Sequence, residues 1–288
     1  MPDAFFGVIG GSGFYDIENV TGLEEVAIET PFGPPSDSYL VGELDGIPVA
    51  FLPRHGRGHR ISPTHLNSQA NVWGFKQLGV TWLLGVSAVG SLREEIEPRH
   101  LVVPDQLIDR TRSRPLTFFN DPGLVVHAGM ADPFCPVLAD LVASAAETAG
   151  ARVHRGGAYV CIEGPQFSTK AESEIFRGWG ASVIGMTAVP EAKLAREAEL
   201  PFALLALSTD YDVWKDEPVT AALVVANMAA NLKVAQQAVV NLASMLPAGN
   251  ETSPAPTALD GAIQSDPGLL SDELRGKYGL LIDRALSA

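Results

Sequence analysis

Residues 183–214, VIGMTAVPEAKLAREAELPFALLALSTDYDVW, decide how the rest of this chain reads. Val183 and Ile184 close an apolar strand, and Gly185-Met186-Thr187 leave it. Pro190 suits a first helical turn, where its missing N–H has no partner to lose. Residues 191–199 have helix-forming composition, with Ala192, Leu194, Ala195 and Ala198 as an apolar stripe among charges. Pro201 stops that helix. Phe202 to Leu207 is then an unbroken apolar run, the pattern of a strand buried on both faces. Ser208-Thr209-Asp210-Tyr211-Asp212 follow as a loop. Carboxylates emerging where a buried strand ends stand where open α/β sheets hold their ligands. A pair of solvated turn residues is the plainer reading of the same two aspartates.

The same alternation runs through the chain. Residues 5–9 form a short apolar strand followed at once by Gly10-Gly11-Ser12-Gly13, a turn that can offer N–H groups to a phosphate. It lacks the G-x-G-x-x-G spacing of a dinucleotide fingerprint. Tyr39 to Leu44 and Ile47 to Leu52 read as a hairpin joined at Asp45-Gly46. The second strand enters Pro53-Arg54-His55-Gly56-Arg57-Gly58-His59-Arg60, a loop whose guanidinium forks match phosphate oxygens. A metal on His55, His59 and His65 is disfavoured, because the His55–His59 spacing serves a helix and Gly56 and Gly58 oppose one. Ser62-Pro63 opens a helix to Leu78. Residues 80–86 make a strand that leads into the loop residues Ser87 and Ala88. Residues 101–103 make another, opening into the polar stretch 105–111. From 112 to 132 the pattern is lost in a long excursion that contains His127.

Residues 134–149 carry a helical pattern, 158–162 a strand, and Thr169 with Glu172 a capping box for a helix reaching Trp179. Residues 218–245 make one long Ala-rich helix. Residues 249–257 read as a linker, and 269–286 as a last amphipathic helix. Strands alternating with helices give an α/β fold: one domain over 1–246, followed by a linker and helical tail over 247–288. The loops at Gly10–Gly13, Arg54-His55, Ser87-Ala88, Gly185–Thr187 and Asp210–Asp212 converge on one sheet edge as a candidate site.

Composition narrows the function. The 288 residues carry 34 acidic against 20 basic side chains, a formal charge of −14. That field repels phosphate backbones and anionic lipid, so nucleic acid and membrane surfaces are poor partners. Two cysteines are too few for a disulfide framework and fit a reducing cytoplasm. No apolar run approaches a membrane span, and no export signal is visible.

Taken together the motifs resemble the trimeric purine nucleoside phosphorylases, and their methylthioadenosine phosphorylase branch in particular. The residues that carry the match are GVIGGSG at 7–13, PRHGRGH at 53–59, SAVGSLREEI at 87–96, DQLIDRT at 105–111, EGPQFST at 163–169, GMTAVPEAKLAREA at 185–198 and STDYDVW at 208–214. The resemblance implies a mixed, partly closed sheet flanked by helices, a homotrimer, and reversible phosphorolysis of a 5′-methylthioribosyl purine without metal or organic cofactor, inorganic phosphate being the co-substrate. It implies phosphate ligands at Ser12, Arg54, His55, Ser87, Ala88 and Thr187. Met186 would lie against the ribose, Phe167 against the purine face, and Asp210 and Asp212 at the base edge. Ser168 and Ala221 would line the pocket, and His127 would reach a neighbouring subunit's pocket near the 5′ substituent. Apart from the resemblance, the tail is too short for a domain and must dock on this subunit or on a neighbour in the trimer, with a place near the 5′ end of a neighbour's pocket expected. Gly185 stands where the methylthioadenosine branch often has Asn, a form nearer to the 6-oxopurine enzymes.

The chemistry of the residues is compatible with this. Breaking a glycosidic bond leaves negative charge on the purine, which a carboxyl still protonated near neutral pH can relieve. Burial and a second carboxylate favour that state, so Asp212 is the expected acid and Asp210 its organiser. Phosphate both attacks and stabilises the cationic sugar, so no protein nucleophile is needed. Phosphorolysis of 6-oxopurine nucleosides such as inosine or methylthioinosine is the nearest alternative. Nicotinamide-dependent redox chemistry and non-catalytic nucleoside binding are the others.

Overall fold

In the computed structural model, which describes residues 5–11, 20–215 and 221–287 (the side chains of 221–225 excepted), strands and helices alternate around one mixed sheet. Its centre is β5 (Trp82–Ser91), flanked along one edge by β11 (Phe202–Asp210), parallel to it from Phe202 to Asp210. The other edge of β5 is shared. β1 (Phe6–Gly10) pairs parallel with residues 82–85, and β10 (Ala181–Gly185) pairs antiparallel with Gly90 and Ser91. Between those partners, residues 86–89 have no strand on that edge among the described residues. The sheet therefore forks at the middle of β5. Ligands bind where neighbouring strands diverge in this way, because backbone and side chains on the open edge face a crevice.

Beyond β1 the sheet continues through β4 (Ile47–Pro53), β3 (Tyr39–Leu44) and β2 (Val20–Val26). Beyond β10 it continues through β9 (Ala158–Ile162) and β7 (Gln106–Arg110), while β11 carries β6 (Leu101–Val103) and then β8 (Val153–Arg155). Successive side chains of the central strands go to opposite faces. Leu83, Leu204 and Ala206 enter one core with α1 (Ser68–Gln77), α4 (Ala188–Glu197) and α6 (Asp272–Ser287). Leu84, Leu205 and Leu207 enter the other with α2 (Pro136–Thr148) and α5 (Ala221–Met245). All nine residues of β11 are buried, which is why its sequence shows no polar alternation. A third, small cluster of Leu92, Val160, Phe176 and Ile184 seats α3 (Lys170–Gly178) against the fork.

Several elements match their sequence signatures. Asp45 and Gly46 close the β3–β4 hairpin with φ of 51° and 82°, both positive as a tight primed turn requires. Thr169 and Glu172 form a complete capping box on α3. Other elements differ. The segment from Ser62 is a 3-10 turn at Pro63–His65 that ends in extended Leu66, and α1 starts only at Ser68. Its cap is Asn67, whose Oδ1 accepts the Ala70 N–H while its amide donates to the Phe32 and Pro34 carbonyls. That tertiary anchoring overrides the Ser-Pro start signal. The stretch expected to open out after β6 is strand β7, paired parallel with β9. The exposed or half-buried strands β2 and β8 had no apolar pattern to reveal them. β5 extends to Ser91 and β11 to Asp210, so Ser87, Ala88 and Asp210 lie within strands and not in the loops after them. The regular part of α4 begins at Pro190, after an extended Val189.

The proposed linker is packed, with Ser253 and Ala255 buried and Asn250 Nδ2 donating to the Thr81 carbonyl. The tail docks on its own subunit. Leu259, Tyr278, Leu281 and Ile282 belong to the first core, and Ile263 forms a β-bridge with Val126.

Candidate active site

A cavity of ≈ 570 Å³ lies at the fork, with Val86, Ser87, Ala88 and Val89 as its floor. Gly11, Arg54, His55, Ser87, Ala88 and Thr187 border it together. Ser12 lies outside the described residues. Arg54 leaves the end of β4 and is 1% exposed. Its fork does not face the cavity as expected. Nε and Nη2 donate to the two carboxylate oxygens of Glu191 at 2.6 and 2.8 Å, Nη1 donates to the Val86 carbonyl, and Nη2 also donates to Ile9. A single Nη1–H remains for a ligand. The fork is spent on a carboxylate because Glu191, 0% exposed, needs a counter-charge as much as Arg54 does. Glu191 was readable as a charge on the apolar stripe of α4, in register with Leu194, Ala195 and Ala198, but its partner was not.

His55 donates from Nδ1 to the Ile61 carbonyl at 2.8 Å, which leaves Nε2 as an acceptor, and its ring stacks on His59 at 4.2 Å. Burial, reinforced by the adjacent Arg54 cation, pushes its pKa down to about 4. The imidazole is therefore neutral at physiological pH. Thr187, at the N-terminus of α4, donates from Oγ1 to Ser87 Oγ at 2.9 Å and joins the start of that helix to β5, a hundred residues away in sequence.

The middle of the cavity is lined by Gly185, Met186 and Phe167. Phe167 is 65% exposed, a large ring with little of its surface covered by its own subunit. Ser168 lies behind it, lining an adjoining hollow with Ile162 and Phe167, and its buried Oγ has no partner among the described residues. The loops carrying Met186 and Glu163 are tied together by Arg114. Its guanidinium donates to the Met186 and Val189 carbonyls, to the Glu163 carbonyl, and from Nε to the Glu163 carboxylate. Arg114 lies in the excursion that the sequence left without assigned structure.

At the far end, Asp210 and Asp212 border the cavity, 8% and 5% exposed. Asp210 accepts from Thr209 Oγ1 at 2.7 Å and from the Asp212 N–H at 2.8 Å. Asp212 has a φ of 52° and accepts from Ser173 Oγ at 2.5 Å. Gly90 permits the approach, since a β-carbon there would stand 3.1 Å from both Asp210 Oδ1 and Asp212 Cβ. Burial raises the pKa of both carboxyls, and for Asp212 the charge of Asp210 adds to the rise. Ser173 was missed by sequence reasoning, its signal being a small polar residue one turn before Phe176 on the buried face of α3.

Of the expected residues, Ser168 and His127 do not line this cavity. His127 is exposed, its N–H bonded to the Ala262 carbonyl of the tail. The side chain of Ala221 lies outside the described residues, and from α5 it is Met228, Ala229 and Leu232 that line the cavity. Among the described residues no group of His, Cys, Asp and Glu is arranged to hold a metal ion.

A forked mixed sheet with hydroxyls, Arg and His at one end of a crevice and two buried carboxyls at the other defines a nucleoside phosphorylase architecture. The chain belongs to the phosphorylase superfamily, matching that family over residues 5–244. It is 54% identical over 270 residues to the S-methyl-5′-thioadenosine phosphorylase of Chloroflexus aurantiacus, covering 93% of each chain. It is 48% identical to the enzyme of the same name from Geobacter sulfurreducens, covering 96% of this chain and 97% of that one. Among solved structures it superposes on a methylthioadenosine phosphorylase from an antarctic soil metagenomic library with a TM-score of 0.94, at 44% identity over 98% of this chain and 99% of that one. The Schistosoma mansoni methylthioadenosine phosphorylase in complex with adenine superposes with a TM-score of 0.84, at 35% identity, over 91% of this chain and 99% of that one.

Proposed function

We propose that this chain catalyses the reversible phosphorolysis of S-methyl-5′-thioadenosine to adenine and 5-methylthioribose 1-phosphate. The observation that carries it is the polarity of one cavity: hydroxyl, guanidinium and imidazole groups at one end, two buried carboxyls with raised pKa at the other. Phosphate occupies the first end, held by Ser87, Thr187, the backbone at Ala88, the remaining Arg54 N–H and His55, with Ser12 completing the set. A neutral His55 with Nε2 as acceptor suits a protonated phosphate oxygen. The ribose lies over Met186 and the purine against Phe167, its edge toward Asp210 and Asp212. As a phosphate oxygen bonds to the anomeric carbon, the bond to the base nitrogen breaks and its electron pair passes to the purine. Protonated Asp212 donates to the five-membered ring of the leaving base, worth about 10²–10⁴ in rate.

Specificity for the 6-amino group rests on the aspartates. The β-carbon direction of Gly185 runs into Tyr159, so that position presents no side chain to the purine. The active assembly is a homotrimer in which His127, supported by the tail at Ala262 and Ile263, reaches a neighbour's cavity beside the 5′ substituent. Exposed Phe167 is the surface such a neighbour covers. The chain works in the cytoplasm with phosphate as co-substrate and without an organic cofactor.

The test is incubation with methylthioadenosine, adenosine, inosine or methylthioinosine, with and without phosphate. Phosphate-dependent adenine release, fastest from methylthioadenosine, is expected. Release without phosphate identifies a hydrolase, and a preference for inosine or methylthioinosine moves the chain to the 6-oxopurine enzymes.

A further inference from the structure

Gly185 and Tyr159 compete for one space. Tyr159 lies on β9, beside β10, and is 0% exposed. A β-carbon on Gly185 would stand 1.9 Å from its hydroxyl oxygen and 2.6 Å from Cζ. No side chain fits at 185 while a tyrosine occupies 159. The place that a residue at 185 would fill is taken by a phenol reaching across from the neighbouring strand.

A buried phenol brings a polar atom that must be satisfied. Its oxygen lies 3.3 Å from Ser87 Oγ and 3.4 Å from the Thr187 nitrogen. The direction of these bonds follows from donor chemistry. A backbone N–H can only donate, so the phenol accepts from Thr187 and sends its own proton to Ser87 Oγ. That oxygen also accepts from Thr187 Oγ1 at 2.9 Å, which fills its second lone pair. The Ser87 proton is then free to leave the cluster. Its only partner among the described residues is the carbonyl of the next residue, Ala88, at 3.1 Å. An anion in the cavity is a stronger acceptor than a neutral amide oxygen.

We propose that Tyr159 is a positioning residue for the phosphate co-substrate, its hydroxyl holding Ser87 Oγ and the Thr187 N–H so that the Ser87 proton is presented to the cavity. The inference rests on the reading of Ser87 and Thr187 as phosphate ligands given above. Burial pushes the phenol pKa up to about 12, so the donor keeps its proton throughout the physiological range. Neither Asp210 nor Asp212 bonds to this hydroxyl; their partners are Thr209, Ser173 and the Asp212 N–H.

The experiment compares Tyr159→Phe, Ser87→Ala and the double variant in steady-state methylthioadenosine phosphorolysis, each co-substrate being varied at saturation of the other. Phenylalanine keeps the ring that fills the space beside Gly185, so the fold is retained. Tyr159→Phe is expected to raise the phosphate KM about five- to tenfold, the worth of one ordinary hydrogen bond. The methylthioadenosine KM is expected to stay within about twofold of the parent. In the double variant the phenol's effect shrinks to what its bond from the Thr187 N–H contributes, because its Ser87 target is gone. A phosphate KM unchanged by Tyr159→Phe, or a rise shared equally by both co-substrates, overturns the proposal, since a purely structural phenol would have no preference for phosphate. If Ser87→Ala itself leaves the phosphate KM unchanged, the phosphate-site reading fails first, and the positioning role with it.

Discussion

Replacing Asp212 by Asn tests the acid at the base end with little disturbance of shape. In the parent, Ser173 Oγ donates to Asp212 Oδ2 at 2.5 Å. An amide oxygen can keep that bond while the NH₂ group takes the place of the other carboxyl oxygen. Such a side chain still offers a hydrogen bond to the leaving base, but it cannot transfer a proton. The loss in kcat for methylthioadenosine should therefore sit near the lower end of general-acid effects, about 10²-fold. Asp212→Ala removes the hydrogen bond as well and leaves the fully buried Ser173 hydroxyl unpaired, so its loss approaches about 10⁴-fold. The pH dependence gives an independent reading. Only the protonated carboxyl is active as the acid, so kcat falls as pH rises through the Asp212 pKa. Ser173 stabilises the carboxylate and holds that pKa below where burial alone would put it. Ser173→Ala should therefore move the falling limb of the kcat–pH profile to higher pH. Single-turnover adenine release across a pH series measures both effects. Asp212→Asn within about threefold of the parent, or a limb that Ser173→Ala leaves in place or moves downward, would refute the assignment.

The remaining predictions concern the supports of the site. Glu191→Gln leaves the Arg54 cation buried without its counter-charge, at a cost of about 3–5 kcal/mol; added phosphate should raise the melting temperature of this variant more than that of the parent, and an equal phosphate response would argue against Arg54 facing the anion. Burial pushes Glu197 up to about 7 from its ordinary 4.5, and it accepts from Thr117 Oγ1 and the Phe118 N–H. A folded value above the unfolded one gives stability that is full below about pH 4.5 and is lost as pH rises through about 7. Glu197→Gln should escape that loss and be more stable than the parent at pH 8 by about 1–3 kcal/mol, with identical pH dependence of melting for both chains counting against it. Removing residues 259–288 strips Leu259, Tyr278, Leu281 and Ile282 from the first core, on the order of 5–10 kcal/mol. The truncated chain should therefore melt far lower, and if it remains folded, lose preference for methylthioadenosine over adenosine; retained melting and selectivity would make the tail dispensable.

What could be read from the sequence divides by the range of the interactions. The hairpin at Asp45-Gly46, the capping box at Thr169 and the buried run of β11 are local, written within a few residues of one another. The convergence of these distant segments was legible for another reason, that strand ends in one α/β sheet share an edge. The strands β2, β7 and β8 were lost because their pairing partners, and not their own patterns, make them strands. The start of α1 moved because Asn67 is anchored to Phe32 and Pro34 across the fold. At the site, Arg54 was found as a basic residue in an acidic chain, but its orientation depends on Glu191, 137 residues away. Asp212 was found from its strand end, while Ser173, which tunes it, arrives from α3. Residue chemistry named the candidate groups, and long-range geometry supplied what holds them.

The crowding between positions 159 and 185 has an evolutionary consequence. A mutation that gives residue 185 a side chain meets the phenol, whereas one that shortens residue 159 first opens a void beside a glycine. The two sites are inherited as a unit, and the path between their alternative states passes through a small residue at 159. Any homologue that carries Asn at the position of Gly185 should carry a short residue at the position of Tyr159, and should therefore hold its Ser87 equivalent by some other donor. A lineage can thus exchange the residue at 185 only by rebuilding, in the same historical step, the hydrogen bonds that join Tyr159 to Ser87 and Thr187.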